Sequence, residues 1–171
     1  MKNDYYCLQF EWNDYLEDIH AINISKEIRS SGKMLGWYTK PVNPRYYDEN
    51  EEYYRKYYGV FNKGKLCAYL HIVLCGDFAF IRHFMGHANH LNKGIMNALI
   101  SWTVQELINN CSQIKWINYG PMTKWYPDSI ISFKRHAGFV GFTTFLDLED
   151  DQVLLKFSKK HFPCFGKSVE F

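Results

Sequence analysis

The sequence predicts a single α/β (α+β) domain, and three observations carry that expectation. The 171 residues are 47% hydrophobic and 22% charged, enough apolar material for one packed core and too little polarity for disorder. Between Tyr58 and Met85, apolar runs alternate with tight turn signals, the pattern of an antiparallel meander. Downstream, Met96, Leu99, Ile100, Thr103 and Leu107 recur at three- and four-residue steps, the period of one buried helix face.

The elements follow in order. Residues 5–10 read as a short strand. Asn13 or Asp14 is placed to cap a helix running to about Arg29, with Leu16, Ile19, His20, Ile22 and Ile28 as its apolar stripe, and Ser30-Ser31-Gly32 breaks it. Residues 33–57 hold Pro41, Pro44, an acidic knot at 48–52 and six tyrosines, and read as loop plus a short helix. Most of those tyrosines are expected to pack on the sheet, and the segment is the candidate lining of a substrate cleft.

The meander comprises Tyr58–Phe61, Leu66–Cys75 and Phe78–Met85, with turns at 62–65 and Gly76-Asp77. A loop from Gly86 to Asn92 leads into a helix from Lys93 to about Asn109. Ile114–Tyr119 is a strand, followed by a loop to Pro127. Asp128 suits the cap of a short helix ended by Gly138, with Lys134, Arg135 and His136 near the negative end of its dipole. Phe139–Leu148 and Val153–Phe157 read as strands joined by the acidic turn Glu149-Asp150-Asp151.

The bulk charge narrows the function. Twenty Lys+Arg against eighteen Asp+Glu gives +2, without the basic excess of a dedicated nucleic-acid binder, though a local positive potential still suffices for an anionic cofactor. The five cysteines, Cys7, Cys67, Cys75, Cys111 and Cys164, are scattered, with no C-x-x-C pair and no disulfide framework. No run approaches the ~20 apolar residues that span a bilayer, and the first residues lack the apolar stretch of a signal peptide. The expectation is a reduced, cytoplasmic protein with no membrane partner, as a monomer or a homodimer.

The order strand, helix, three-strand meander, loop, long helix, strand, short helix, strand, strand resembles the GNAT superfamily of N-acyltransferases over nearly the whole chain, residues 1–171. The resemblance implies a mixed, mostly antiparallel central sheet flanked by helices. GNAT enzymes carry Arg/Gln-x-x-Gly-x-Gly/Ala at the start of the long helix, where backbone N–H groups hold the CoA pyrophosphate. The matching stretch is Asn89-His90-Leu91-Asn92-Lys93-Gly94, with Asn89 in place of Arg/Gln and Asn92 in place of the first Gly. Asn is the non-glycine residue that best tolerates a left-handed backbone, and Lys93 adds a positive charge. A second landmark is the short helix ending in Gly-Phe, here Gly138-Phe139. Where many members place a Tyr as general acid, this chain has Lys134, and the Phe133-Lys134 pair is similar to the Fem-type branch.

Amide formation from a thioester needs a neutral amine, a polarised carbonyl and a proton for the leaving sulfur. The resemblance assigns the carbonyl to backbone N–H groups of Phe84, Met85 and Gly86, the logic of an oxyanion hole. A base titrating near neutrality points to His83, with His87 and His90 in the loop beyond it. Tyr119, Tyr126 and Lys134 are the candidate acids. His87, Asn89, Asn92, Lys93 and Gly94 complete the cofactor set. Each has a plainer role open to it: His83 as a semi-buried strand residue, Tyr119 as core, Tyr126 as a loop brace, and His87 and His90 as backbone ligands. His83, His87 and His90 have metal-like spacing but lack a nearby Cys or acid, so no metal is expected. The basic residues at 159–161 read as a solvated tail.

The expected function is transfer of an acyl group, acetyl foremost, from acetyl-CoA or another acyl-CoA to a primary amine of a small molecule, sugar or peptide. Two alternatives stand beside it: a non-catalytic GNAT-like binding module, and a Fem-like transferase using aminoacyl-tRNA, the one setting in which nucleic acid is a partner.

Overall fold

The computed structural model describes residues 4–29, 32–46, 53–120, 127–141, 144–149 and 152–157. Strand β1 (Tyr5–Gln9) is followed by a 3-10 turn (Trp12–Tyr15) and helix α1 (Leu16–Ile24). Two short strands, β2 (Ile28–Arg29) and β3 (Gly32–Lys33), pair with each other. After a 3-10 turn (Gly36–Thr39) come β4 (Tyr54–Asn62), β5 (Lys65–Cys75) and β6 (Phe78–Gly86). A 3-10 turn (Ala88–Lys93) precedes α2 (Ile95–Asn110), then β7 (Trp116–Asn118), α3 (Asp128–His136), β8 (Thr144–Glu149) and β9 (Gln152–Phe157).

The main sheet has the order β1-β4-β5-β6-β7, antiparallel throughout except for the parallel β6–β7 pair. β8 and β9 form an antiparallel pair. Alternation along the strands feeds two cores. On the α2 face, Tyr58, Val60, Leu70, Ile72 and Ile81 meet Ile95, Leu99 and Leu107. On the α1 face, Phe10, Trp12, Tyr57, Phe61 and Tyr69 meet Ile19 and Ile22.

α1 is seated by polar bonds as well as by apolar contact. Asp18 Oδ2 accepts from the Leu66 backbone N–H at 3.0 Å, and Tyr69 donates to Asn23 Oδ1 at 2.8 Å in a buried pair. Such bonds matter because a buried polar group left unpaired costs about 1–3 kcal/mol.

The elements depart from the sequence expectation in instructive places. The first helix stops at Ile24, and Ile28 is 65% exposed in β2. Of the tyrosines between 38 and 57, Tyr57 is buried whereas Tyr46 and Tyr54 are exposed, so packing on the sheet does not account for most of the described ones. β4 begins at Tyr54 and not at Tyr58, because charged Arg55 and Lys56 still pair with β5. α3 is capped by Pro127 with no side-chain bond, while Asp128 sits in the first turn, where the helix dipole favours its charge. The four described cysteines are free; burial pushes the Cys7 thiol up to about 11. Among the described residues, no helix is long and apolar enough to cross a membrane.

Gly59 gives this packing a direct test. A Cβ there would meet Leu66 Cδ1, with Phe61 Cε2 at 2.8 Å and Phe10 Cδ1 at 3.2 Å, all side chains of the α1-face core. Gly59→Ala should lower stability by about 1–3 kcal/mol in denaturant titration, whereas Gly36→Ala, with nothing within 4 Å, should not.

Candidate functional site

β5 and β6 pair residue for residue from the Gly76-Asp77 turn as far as Ile72 and Ile81, after which His71 faces His83. Arg82 is therefore the extra residue of a β-bulge. One residue's slip exchanges the faces of a strand. Beyond the bulge His83 joins His71 on the α1 face, and Phe84 joins the α2-face cluster.

β6 and β7 pair only from Phe78–Trp116 to Phe80–Asn118. From Ile81 onward β6 keeps β5 on one side and has no strand partner on the other among the described residues. At its far end the His87 N–H donates to Cys67 O at 2.8 Å. By the alternation of an antiparallel ladder, His83 and Met85 turn their backbone groups to β5. Phe84 and Gly86 turn theirs to the open edge. Consistent with this, the Gly86 carbonyl accepts from Arg29 Nη1 at 3.0 Å.

The open edge is backed by aromatics. Phe84 lies 5.7 Å from Tyr119 and 5.8 Å from Phe133, ring to ring, and Tyr119 lies 5.4 Å from Phe139. Lys134 is only 4% exposed, with Nζ 4.8 Å from the Tyr119 ring centre. Burial lowers its pKa, bringing its proton nearer to release at neutral pH. Phe84, Tyr119 and Lys134 are thus gathered in one place; Tyr126 lies outside the described residues.

The loop after β6 is built on α1. Ser25 Oγ accepts from the Ala88 N–H at 3.0 Å and donates to Ile22 O at 2.7 Å. Arg29 Nη2 donates to the same Ile22 carbonyl at 2.6 Å. His87 Nδ1 accepts from the Asn89 N–H at 3.3 Å, and His90 Nδ1 is 2.6 Å from the Tyr5 hydroxyl. Asn92 lies inside the 3-10 turn, and the left-handed residue is Gly94 at φ 73°, immediately before α2. No side chain caps α2 and no acid occupies its first turn, while Lys93 and Gly94 are exposed beside it. Its first N–H groups meet the requirement for an anion site.

His83 belongs to a different group, on the α1 face. Its ring is 5.4 Å from His71 and 5.5 Å from Tyr38, and His71 is 4.8 Å from Tyr57. Arg45 Nη1 donates to Tyr57 Oη at 2.9 Å and lies 3.2 Å from His71 Nδ1. Burial, reinforced by Arg45 and Arg82, pushes His83 down to about 4; burial, Arg45 and His83 push His71 down to about 3. Both imidazoles are neutral at pH 7. Among the described residues, no group of three or more His, Cys, Asp or Glu could hold a metal ion.

Arg29, Arg45 and His71 escaped sequence reasoning. A polar residue within the apolar run Leu66–Cys75 was the available signal for His71. Arg45 gave none, because nothing local tells which residue of a Pro-rich segment folds back over the sheet.

No protein-family model and no curated protein matches the sequence. The fold, in contrast, is similar to several solved structures. An aminoglycoside acetyltransferase from an uncultured soil metagenomic sample superposes with a TM-score of 0.58 at 14% identity, over 85% of this chain and 97% of that one. The ribosomal-protein-S18-alanine N-acetyltransferase from Escherichia coli gives 0.53 at 13% identity, over 87% and 88%. A tandem GNAT protein from the clavulanic acid biosynthesis pathway gives 0.53 at 11% identity over 84% of this chain, which spans only 44% of that protein. The architecture is the GNAT fold: a mixed five-stranded sheet flanked by helices.

The lowered pKa values of His71 and His83 make stability depend on pH. Well above the ordinary value of 6.5, neither folded nor unfolded chain protonates them, and their contribution to stability is full. As pH falls, the unfolded chain takes up protons first, and stability drops until about pH 4 for His83 and pH 3 for His71. Thermal unfolding from pH 7 to 4 at fixed ionic strength should show this decline, and His71→Gln/His83→Gln should flatten it. An equal acid slope in both proteins would refute the assignment.

Proposed function

We propose that this chain is an N-acyltransferase that takes an acyl group, most simply acetyl, from acyl-CoA and places it on a primary amine. One observation carries the reading: β6 parts from β7 after Phe80 and runs, with an open backbone edge, into an uncapped helix N-terminus. A thioester lying along that edge would meet the Phe84 and Gly86 N–H groups, donors suited to the oxyanion that forms when an amine attacks its carbonyl. The pyrophosphate would rest on the first turn of α2 beside Lys93 and Gly94, with His87, Asn89 and Asn92 in the turn above.

The tetrahedral intermediate collapses as the C–S bond breaks, and the sulfur leaves as a thiolate that needs a proton. Lys134 Nζ lies against the Tyr119 ring, beside Phe84, and we assign these two groups this part, Tyr126 being a further candidate. On the acceptor side, His83 is neutral and able to accept a proton, although its lowered basicity makes it a weak base that passes the proton on readily. The segment from Tyr38 to Tyr57 supplies the acceptor side, since Tyr38, Arg45 and Tyr57 all reach His71 or His83. The free cysteines suit a reducing, cytoplasmic setting.

Calorimetric titration with acetyl-CoA tests the donor half. Micromolar binding is expected, retained by desulfo-CoA and weakened when only adenosine 3′,5′-bisphosphate is offered. Gly94→Ala should weaken binding several-fold, because a side chain at φ 73° strains the residue that sets the helix start. Absence of heat with every CoA species would sink the reading.

A further inference from the structure

The α1 face holds a cation that pairs with no carboxylate among the described residues. Arg45 is anchored through its backbone: its N–H donates to Asn13 Oδ1 at 2.8 Å, and its carbonyl accepts from Asn13 Nδ2 at 2.9 Å. Its guanidinium lies 3.8 Å over the Trp12 ring and 5.5 Å from Tyr57. Nη1 is committed to Tyr57 Oη and His71 Nδ1. Nη2 and Nε have no hydrogen-bond partner among the described residues, and no carboxylate among them forms an ion pair with Arg45.

The His71 imidazole beside it is a donor in waiting. Nη1 of an arginine can only donate, so His71 Nδ1 must accept, and the single proton of the neutral ring then resides on Nε2. His71 is 5% exposed, and this Nε2–H is buried without a partner. His83 Nδ1, across the ring contact, is buried and unpartnered too. Arg82 adds positive field acting on His71. Pinning the 40s segment to the sheet explains the Trp12 stack and the Nη1 bonds. It does not explain a guanidinium unpaired with any described carboxylate beside a buried imidazole N–H that has no partner.

We propose that this face binds an oxyanion group, carboxylate or phosphate, carried by the acceptor amine, with Arg45 as its principal ligand and His71 as a second donor. A guanidinium offers paired N–H groups matched to either oxyanion, and the Trp12 stack holds that fork in place before binding. The proposal rests on the acyltransfer reading only in calling the ligand an acceptor; binding itself needs no donor.

The test is calorimetry on the full chain without acetyl-CoA, using matched probes. α-Amino acids and β-alanine carry a carboxylate, phosphoethanolamine carries a phosphate, and amino-acid amides and ethanolamine carry neither. At least one anionic probe should bind saturably, at least about tenfold tighter than its uncharged counterpart, and the arm that binds identifies the oxyanion. Arg45→Gln should weaken it roughly ten- to a hundredfold, the loss expected for hydrogen bonds to a charged group, while acetyl-CoA affinity and circular dichroism stay unchanged. Equal binding of charged and uncharged members, unaltered binding by Arg45→Gln, or no binding by any anionic probe would overturn the proposal. Should the variant not fold, the matched-probe comparison on the unaltered chain decides alone. Acetyl-CoA binding without anion binding removes this inference and spares the donor site; the converse removes the donor reading alone.

Discussion

The open end of the sheet depends on one extra residue. Without the bulge at Arg82, His83 would follow Ile81 onto the α2 face and enter the apolar core, and Phe84 would turn toward α1. With it, the last turn-facing residues of β6 change sides. The imidazole of His83 meets His71, and the Phe84 ring meets Tyr119 and Phe133. The same slip decides which backbone groups face β5 and which face the gap left by β7. A local irregularity worth one residue thereby distributes the chemistry of the whole site between two surfaces.

Those surfaces differ in kind. The α2 side is aromatic, with a buried amine at Lys134. The α1 side is polar and positively biased, with imidazoles kept uncharged by burial and by neighbouring guanidiniums. β6 is the wall between them, so a group bound on either side meets the other only where that strand ends. In the proposed reaction each substrate would be oriented by its own set of contacts before the two meet.

The sequence made the scaffold legible where periodicity is strong: the meander, the long helix and the order of elements all reflect burial on one face or alternating faces. Helix ends were less legible. Gly94 looked like the last glycine of a loop motif, yet its backbone makes it the residue that starts α2, and the stretch before it coils into a 3-10 turn. The candidate site was legible on the strand that carries it and illegible beyond. Phe84, Tyr119 and Lys134 converge because β6, the residues just past β7 and α3 pack together. His83 was identified, but its face was not, since a bulge leaves no mark in a run such as Phe80-Ile81-Arg82-His83. Arg45 and Arg29 reach their partners across 26 and 57 residues of chain, contacts that no local pattern encodes.

The Arg29 clamp has a consequence for how the molecule opens. One guanidinium bonds the Ile22 carbonyl, at the end of α1, and the Gly86 carbonyl, at the end of β6, while Ser25 joins the same Ile22 carbonyl to the Ala88 amide. These part-buried bonds share the Ile22 carbonyl and the Ser25 hydroxyl, so the two segments are tied through common groups. The last turn of α1 and the first residues past β6 therefore form one cooperative unit of local unfolding. Amide hydrogens at Ser25 and at Ala88 would exchange with solvent at a common opening free energy, although they stand 63 residues apart in the chain.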